Sequence, residues 1–122
     1  MENLINWFEI PATDFSRAVS FYIAILALEI KEVEMLGPKM GFFPNDGKNV
    51  SGAIVKGEDY TSSTNGVLAY LNGGNNLQTV LEKVENNNGQ IIVPKTQISP
   101  EMGYFGIFID SEGNKIAVHS IN

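Results

Sequence analysis

The sequence predicts an α+β protein of two tandem βαβββ modules, whose eight strands form a cleft-containing, barrel-like sheet with a helix covering each half. Three observations predict it. A strand-like run precedes an amphipathic helical stretch twice, and three further strand candidates follow each helix. The candidate helix starts Asp14 and Asn76 lie 62 residues apart, and the hairpin glycines Gly47 and Gly113 lie 66 apart. A polar segment without periodicity, residues 58–65, separates the copies, so modules 1–57 and 66–122 make up a single domain spanning residues 1–122.

In the first module, Leu4–Ile10 alternates in part, with Leu4, Phe8 and Ile10 on one side and Ile5, Trp7 and Glu9 on the other. This reads as a strand covered on both faces and stopped by Pro11. The stretch "TDFSRAVSFYIAILA" predicts a helix capped by Asp14, with Phe15, Ala18, Val19, Tyr22 and Leu26 on one face. Strands are expected at Leu28–Met35, Lys39–Pro44 and Val50–Lys56, the last two joined through a hairpin at Asp46-Gly47.

The second module repeats the order. Gly66–Asn72 reads as a strand, and Asn75 to Asn87 as a helix started by Asn75 with Gln78. Leu77, Val80, Leu81 and Val84 form its apolar stripe, and Gly89 is the expected left-handed cap. Gln90–Lys95, Gly103–Asp110 and Lys115–Ile121 supply three strands, the last two joined by "SEGN". Each sheet has one face under its helix. The other face needs a cover, most simply the other half's sheet, with a concave cleft between them.

Composition narrows the partners. With 43% hydrophobic and 18% charged residues in 122, the chain has an ordinary globular balance. Eight basic against fourteen acidic residues give a net charge of −6, which repels phosphate backbones and anionic lipid. A small-molecule ligand is therefore expected, with no nucleic acid and no membrane partner. The absence of cysteine excludes disulfides and thiol chemistry. No basic leader or long apolar run is visible, so a cytoplasmic location is expected.

The segments "WFEIPATDFSRAVSFY" and "GYFGIFIDSEGNKIAVHS" resemble the vicinal oxygen chelate superfamily, which includes glyoxalase I, bleomycin-resistance proteins and extradiol dioxygenases. The resemblance implies the paired-module fold and a homodimer. It also implies a divalent metal held by His, Glu or Gln on the first and last strands of each module. Carried across, those positions fall on Trp7, Ser51, Ala117 and a residue near Ala69. None is a normal ligand for a divalent metal, so no cofactor is expected; any metal would have to sit on Glu9 and His119. A single histidine also argues against an extradiol dioxygenase.

His119 lies two residues beyond Ala117, and Glu9 two beyond Trp7, so each shares the predicted cleft face. As a catalytic pair, Glu9 would be the base and His119 the acid or orienting group for proton transfer next to a carbonyl. The plainer readings are a strand-end histidine and a carboxylate satisfied by backbone donors or water. Trp7 is expected as an apolar platform, with Ser51, Ala69, Ala117, Phe43 and Tyr104 also binding substrate. Arg17 reads as a solvated or linker-facing charge, and Met35, Met40 and Met102 as gap-fillers of the core. The function implied is a glyoxalase-like small-molecule cleft protein, either a lyase or isomerase, or a non-catalytic bleomycin-resistance-like binder of a planar or hydrophobic compound.

Overall fold

A computed structural model describes residues 3–34 and 37–122. The order is β1 (Trp7–Pro11), α1 (Phe15–Leu26), β2 (Lys31–Glu34), β3 (Lys39–Phe42) and β4 (Ser51–Lys56), then β5 (Tyr70–Asn72), α2 (Gln78–Leu81), a 3₁₀ turn at Glu85–Asn87, β6 (Gln90–Ser99), β7 (Gly103–Ile109) and β8 (Lys115–Ser120). The βαβββ unit thus occurs twice, and Met35, the expected end of the second strand, lies outside the described residues. The strands form two separate four-stranded sheets: sheet A, ordered β1-β4-β3-β2, and sheet B, ordered β5-β8-β7-β6. In each, the first strand runs parallel to the last and forms an edge. Among the described residues no helix is long and apolar enough to cross a membrane.

Asp14 caps α1 by accepting from the Arg17 amide at 3.1 Å, and Ala27 ends it in the left-handed region. The buried stripe of α1 is broader than its spacing predicts, because Phe21 and Ile25 are buried alongside Phe15, Ala18, Val19 and Tyr22. One sheet cannot cover so wide a stripe. On one side α1 packs on sheet A, where a side chain at Gly41 would strike Ile30 and Val19. On the other it reaches the second module, with the Phe21 ring 5.9 Å from that of Phe108. Ile10 and Ile54 of sheet A, both helices, and Leu71, Phe108 and Val118 of sheet B belong to one continuous core.

Each helix covers one face of its own sheet, as expected, but the second face of each sheet is not covered by the other sheet. The helices lie inside, between the sheets, and the second face of each sheet is turned outward instead of toward the other sheet.

The second helix is also shorter than expected. Neither Asn75 nor the residue at the cap position, Leu77, caps it through a side chain; Asn76 Oδ1, one residue before Leu77, accepts from the Gln78 amide at 2.9 Å, and only four residues are α-helical before the 3₁₀ turn. The asparagine run at 86–88 has poor helix propensity. Asn88 rather than Gly89 takes the left-handed conformation. Gly89 is needed for space: a Cβ there would sit 2.8 Å from both the Ile109 carbonyl and the Phe21 ring.

Candidate functional site

Strand register fixes what each outer face carries. On sheet A, Trp7 lies opposite Ser51, and Glu9 and Phe42 both lie opposite Ala53, so these side chains share one face. Trp7 is 38% exposed, and its ring lies 6.0 Å from that of Phe42 at a tilt of 53°. The indole Nε1 donates to Glu9 Oε2 at 3.3 Å, and the hydroxyl of Tyr60, in the inter-module linker, donates to Glu9 Oε1 at 2.6 Å. That bond, with partial burial and the charges of Glu9 and Asp59, raises the Tyr60 hydroxyl above its usual range. Ser51 is buried and donates to the Pro44 carbonyl at 2.8 Å, so its hydroxyl is occupied by its own hairpin.

The outer face of sheet B carries Tyr70 opposite Ala117, Asn72 and Phe105 opposite His119, and Ile107 opposite Ala117. His119 Nε2 lies 2.6 Å from the Met102 carbonyl. A carbonyl only accepts, so Nε2 is the donor of this bond. Ala117 is fully buried beneath its neighbours.

Three expected binding residues fall one place away from the outer faces. Ala69 precedes β5 and serves through its carbonyl, which accepts from the Ala117 amide at 2.9 Å; the side chain opposite Ala117 is that of Tyr70. Phe43 points into the core, packed against Phe8 and Tyr22, and Phe42 takes the outer position. Tyr104 packs against the core side, with Lys95 Nζ 4.5 Å from its ring centroid, and Phe105 takes the outer position. A slip of one residue moves a side chain to the opposite face. Met40 and Met102 are half-buried and exposed, respectively, and neither fills the core.

Glu9 and His119 stand on different sheets on either side of the helical core. Glu9 is held by Trp7 and Tyr60, His119 by Met102, and they have no partner in common. A single chain does not bring them together. A cavity of about 1120 Å³ opens beside the β1 and β5 edges, lined by Leu4, Ile5, Phe8, Leu28, Val50 and Tyr70 among others, and includes neither Glu9 nor His119.

The segments that carry the family resemblance meet each other, away from both outer faces. Glu112 Oε1 accepts from the amides of Thr13 and Asp14 at 2.9 and 2.6 Å, and Oε2 accepts from Arg17 Nε at 2.7 Å. Burial pushes the Glu112 carboxyl up, but the bonds from Arg17, Asp14 and Ser111 outweigh it and leave it below its usual range. Tyr22 donates to Asp110 Oδ2 at 2.6 Å, and burial beside that carboxylate pushes its hydroxyl well up. Arg17 is therefore not a free surface charge. Its partner lies 95 residues further along the chain, a separation at which spacing carries no signal.

The strand positions at which the resemblance implies metal ligands carry no usual donor side chain within one chain. Trp7, Ser51, Tyr70 and Ala117 occupy the strand positions that would have to supply ligands, and no three His, Cys, Asp or Glu side chains converge among the described residues.

Comparison with known proteins agrees with the fold. Residues 4–118 match the model of the glyoxalase/bleomycin resistance protein/dioxygenase superfamily. A glyoxylase-like domain-containing protein of Didymella fabae is 30% identical over 119 residues, covering 93% of this chain and 91% of that one. Among solved structures, a glyoxylase/bleomycin resistance protein/dioxygenase domain from Frankia sp. EAN1pec superposes with a TM-score of 0.74 at 9% identity, covering 98% of both chains. TnmS3, an antibiotic binding protein from Streptomyces sp. CB03234, does so at 0.68 and 17% identity, again over 98% of both.

Proposed function

The chain belongs to the glyoxalase/bleomycin resistance protein/dioxygenase superfamily, and on that premise we propose that it is a homodimeric small-molecule-binding protein working without a metal. Each cleft lies between the outer face of sheet A in one copy and the outer face of sheet B in another. The observation that carries this reading is the inward placement of the helices, which leaves two polar-and-aromatic faces on every chain and lets neither cover the other. Apolar side chains along the free edges support it: Leu4, beside β1, is 90% exposed and Val67, before β5, 97%. The antibiotic-binding description of the Streptomyces neighbour supports a small molecule as ligand.

Binding is favoured over catalysis by the state of the two candidate groups. Both oxygens of Glu9 already accept a hydrogen bond, and Nε2 of His119 is committed to a carbonyl. Such fixed groups suit holding a ligand. The second reading is a lyase or isomerase with Glu9 as base and His119 as acid; its support is that the same pairing of faces delivers one of each to a cleft.

Sedimentation velocity and melting curves test the proposal. A dimer at micromolar concentration, with a melting temperature raised by planar small molecules and unchanged by a chelator, is expected. A monomer, or a chelator-sensitive protein, would sink it. Turnover lost in both Glu9→Gln and His119→Asn would favour the second reading.

A further inference from the structure

We infer that the outer face of sheet A takes a planar cation, an aromatic ring system bearing a protonated amine or amidine, stacked on Trp7 and Phe42 with its charge on Glu9. This names the ligand class of the proposed binding function and rests on that reading. Trp7, exposed, and Phe42, half-buried, form an aromatic pair over the small residues Ser51 and Ala53, which they help to bury. Aromatic faces attract cations, tryptophan most strongly. Glu9 stands beside the indole, and its two bonds from Trp7 and Tyr60 fix the carboxylate while leaving one acceptor position free on each oxygen.

The charge around it has the matching sign. Asp59, next to Tyr60 in the chain, adds a second negative charge that acts on the Tyr60 hydroxyl. The cation sharing this face is Lys31, paired with Phe42 on β2. It is three strands from Glu9, about 14 Å at ordinary strand spacing and beyond a Debye length at physiological salt. The net charge of −6 draws in a cation and repels an anion of the same shape.

Three probes of similar three-ring size test the assignment: proflavine, a cation; acridone, neutral; and anthracene-2-carboxylate, an anion. Trp7 is the only tryptophan, so its emission reports occupancy, with calorimetry as a second readout. Proflavine is expected to bind about tenfold tighter than acridone, and the anion most weakly. Glu9→Gln should cut the proflavine preference about three- to tenfold and leave acridone unchanged. Should that variant fold poorly, salt on the unaltered protein gives the same contrast, weakening proflavine and sparing acridone when raised about tenfold. Equal binding of the three probes, or a cation preference indifferent to Glu9 and to salt, overturns the cation assignment and leaves small-molecule binding standing. Failure of all three to bind overturns both.

Discussion

The last hairpin turn of each module, between β3 and β4 and between β7 and β8, uses nearly the same local chemistry for different ends. In the first, Asp46 accepts from the amides of Lys48 and Asn49 and from the Asn49 side chain, and the whole turn is exposed. In the second, Asp110 accepts from the amides of Glu112 and Asn114 and from the Asn114 side chain, but the turn is buried. There Asp110 also takes the hydroxyl of Tyr22, Glu112 takes the start of α1, and Asn114 donates to the Pro11 carbonyl at 2.7 Å. A turn motif that stays local in one module thus locks the modules together in the other. The "DSEGN" segment thereby fixes the second module against the start of α1 and so positions the two outer faces.

The largest expected break in that contrast is Asp110→Ala. It leaves the Tyr22 hydroxyl, two turn amides and the Asn114 amide group without their acceptor in a buried place. We expect a loss of about 3 kcal/mol or more in urea unfolding. A loss under about 1 kcal/mol would mean the second turn is as local as the first.

Glu112→Gln comes next, at about 1–2 kcal/mol near neutral pH, because its bonds to Arg17 and to the helix start lose their charge. The folded Glu112 carboxyl titrates below its unfolded value. Its contribution is therefore complete above the usual carboxylate range and is lost as the pH falls through the folded value. The gap between the unfolding curves of parent and variant should begin to close as the pH falls through the usual carboxylate range and vanish only below the folded value. A gap that persists there would assign the effect to shape and not charge.

The smallest effect is expected from Asp46→Ala, with a melting temperature within about 2 °C of the parent, since every bond it makes is exposed and local. A drop as large as that of Asp110→Ala would erase the distinction between the turns.

Much of the fold was legible in the sequence. Strand-helix order, the Asp14 cap and the last hairpin of each module follow from period and turn chemistry within a few residues. The layering was not. Phe21 and Ile25 lie beside an already apolar stripe, and periodicity does not say whether a broad stripe serves one sheet or sits between two. The outer faces were legible where a strand alternates, as at Trp7 and Glu9 or at Ala117 and His119. They were hidden at Phe42-Phe43 and Tyr104-Phe105, where two adjacent aromatics leave no alternation to read. The position expected near Ala69 falls one residue on, at Tyr70, because a short edge strand gives too few residues to fix its register.

The central claim is that the faces bearing Glu9 and His119 meet between chains and not within one. The lack of cysteine allows a direct measurement. Glu9→Cys and His119→Cys, made separately, mixed and treated with a short bis-maleimide, should give a covalent two-chain product that neither variant yields in quantity alone. In the double variant the cross-link should again join two chains. A cross-linked single chain, with the bridge from position 9 to position 119 of one molecule, would contradict the account.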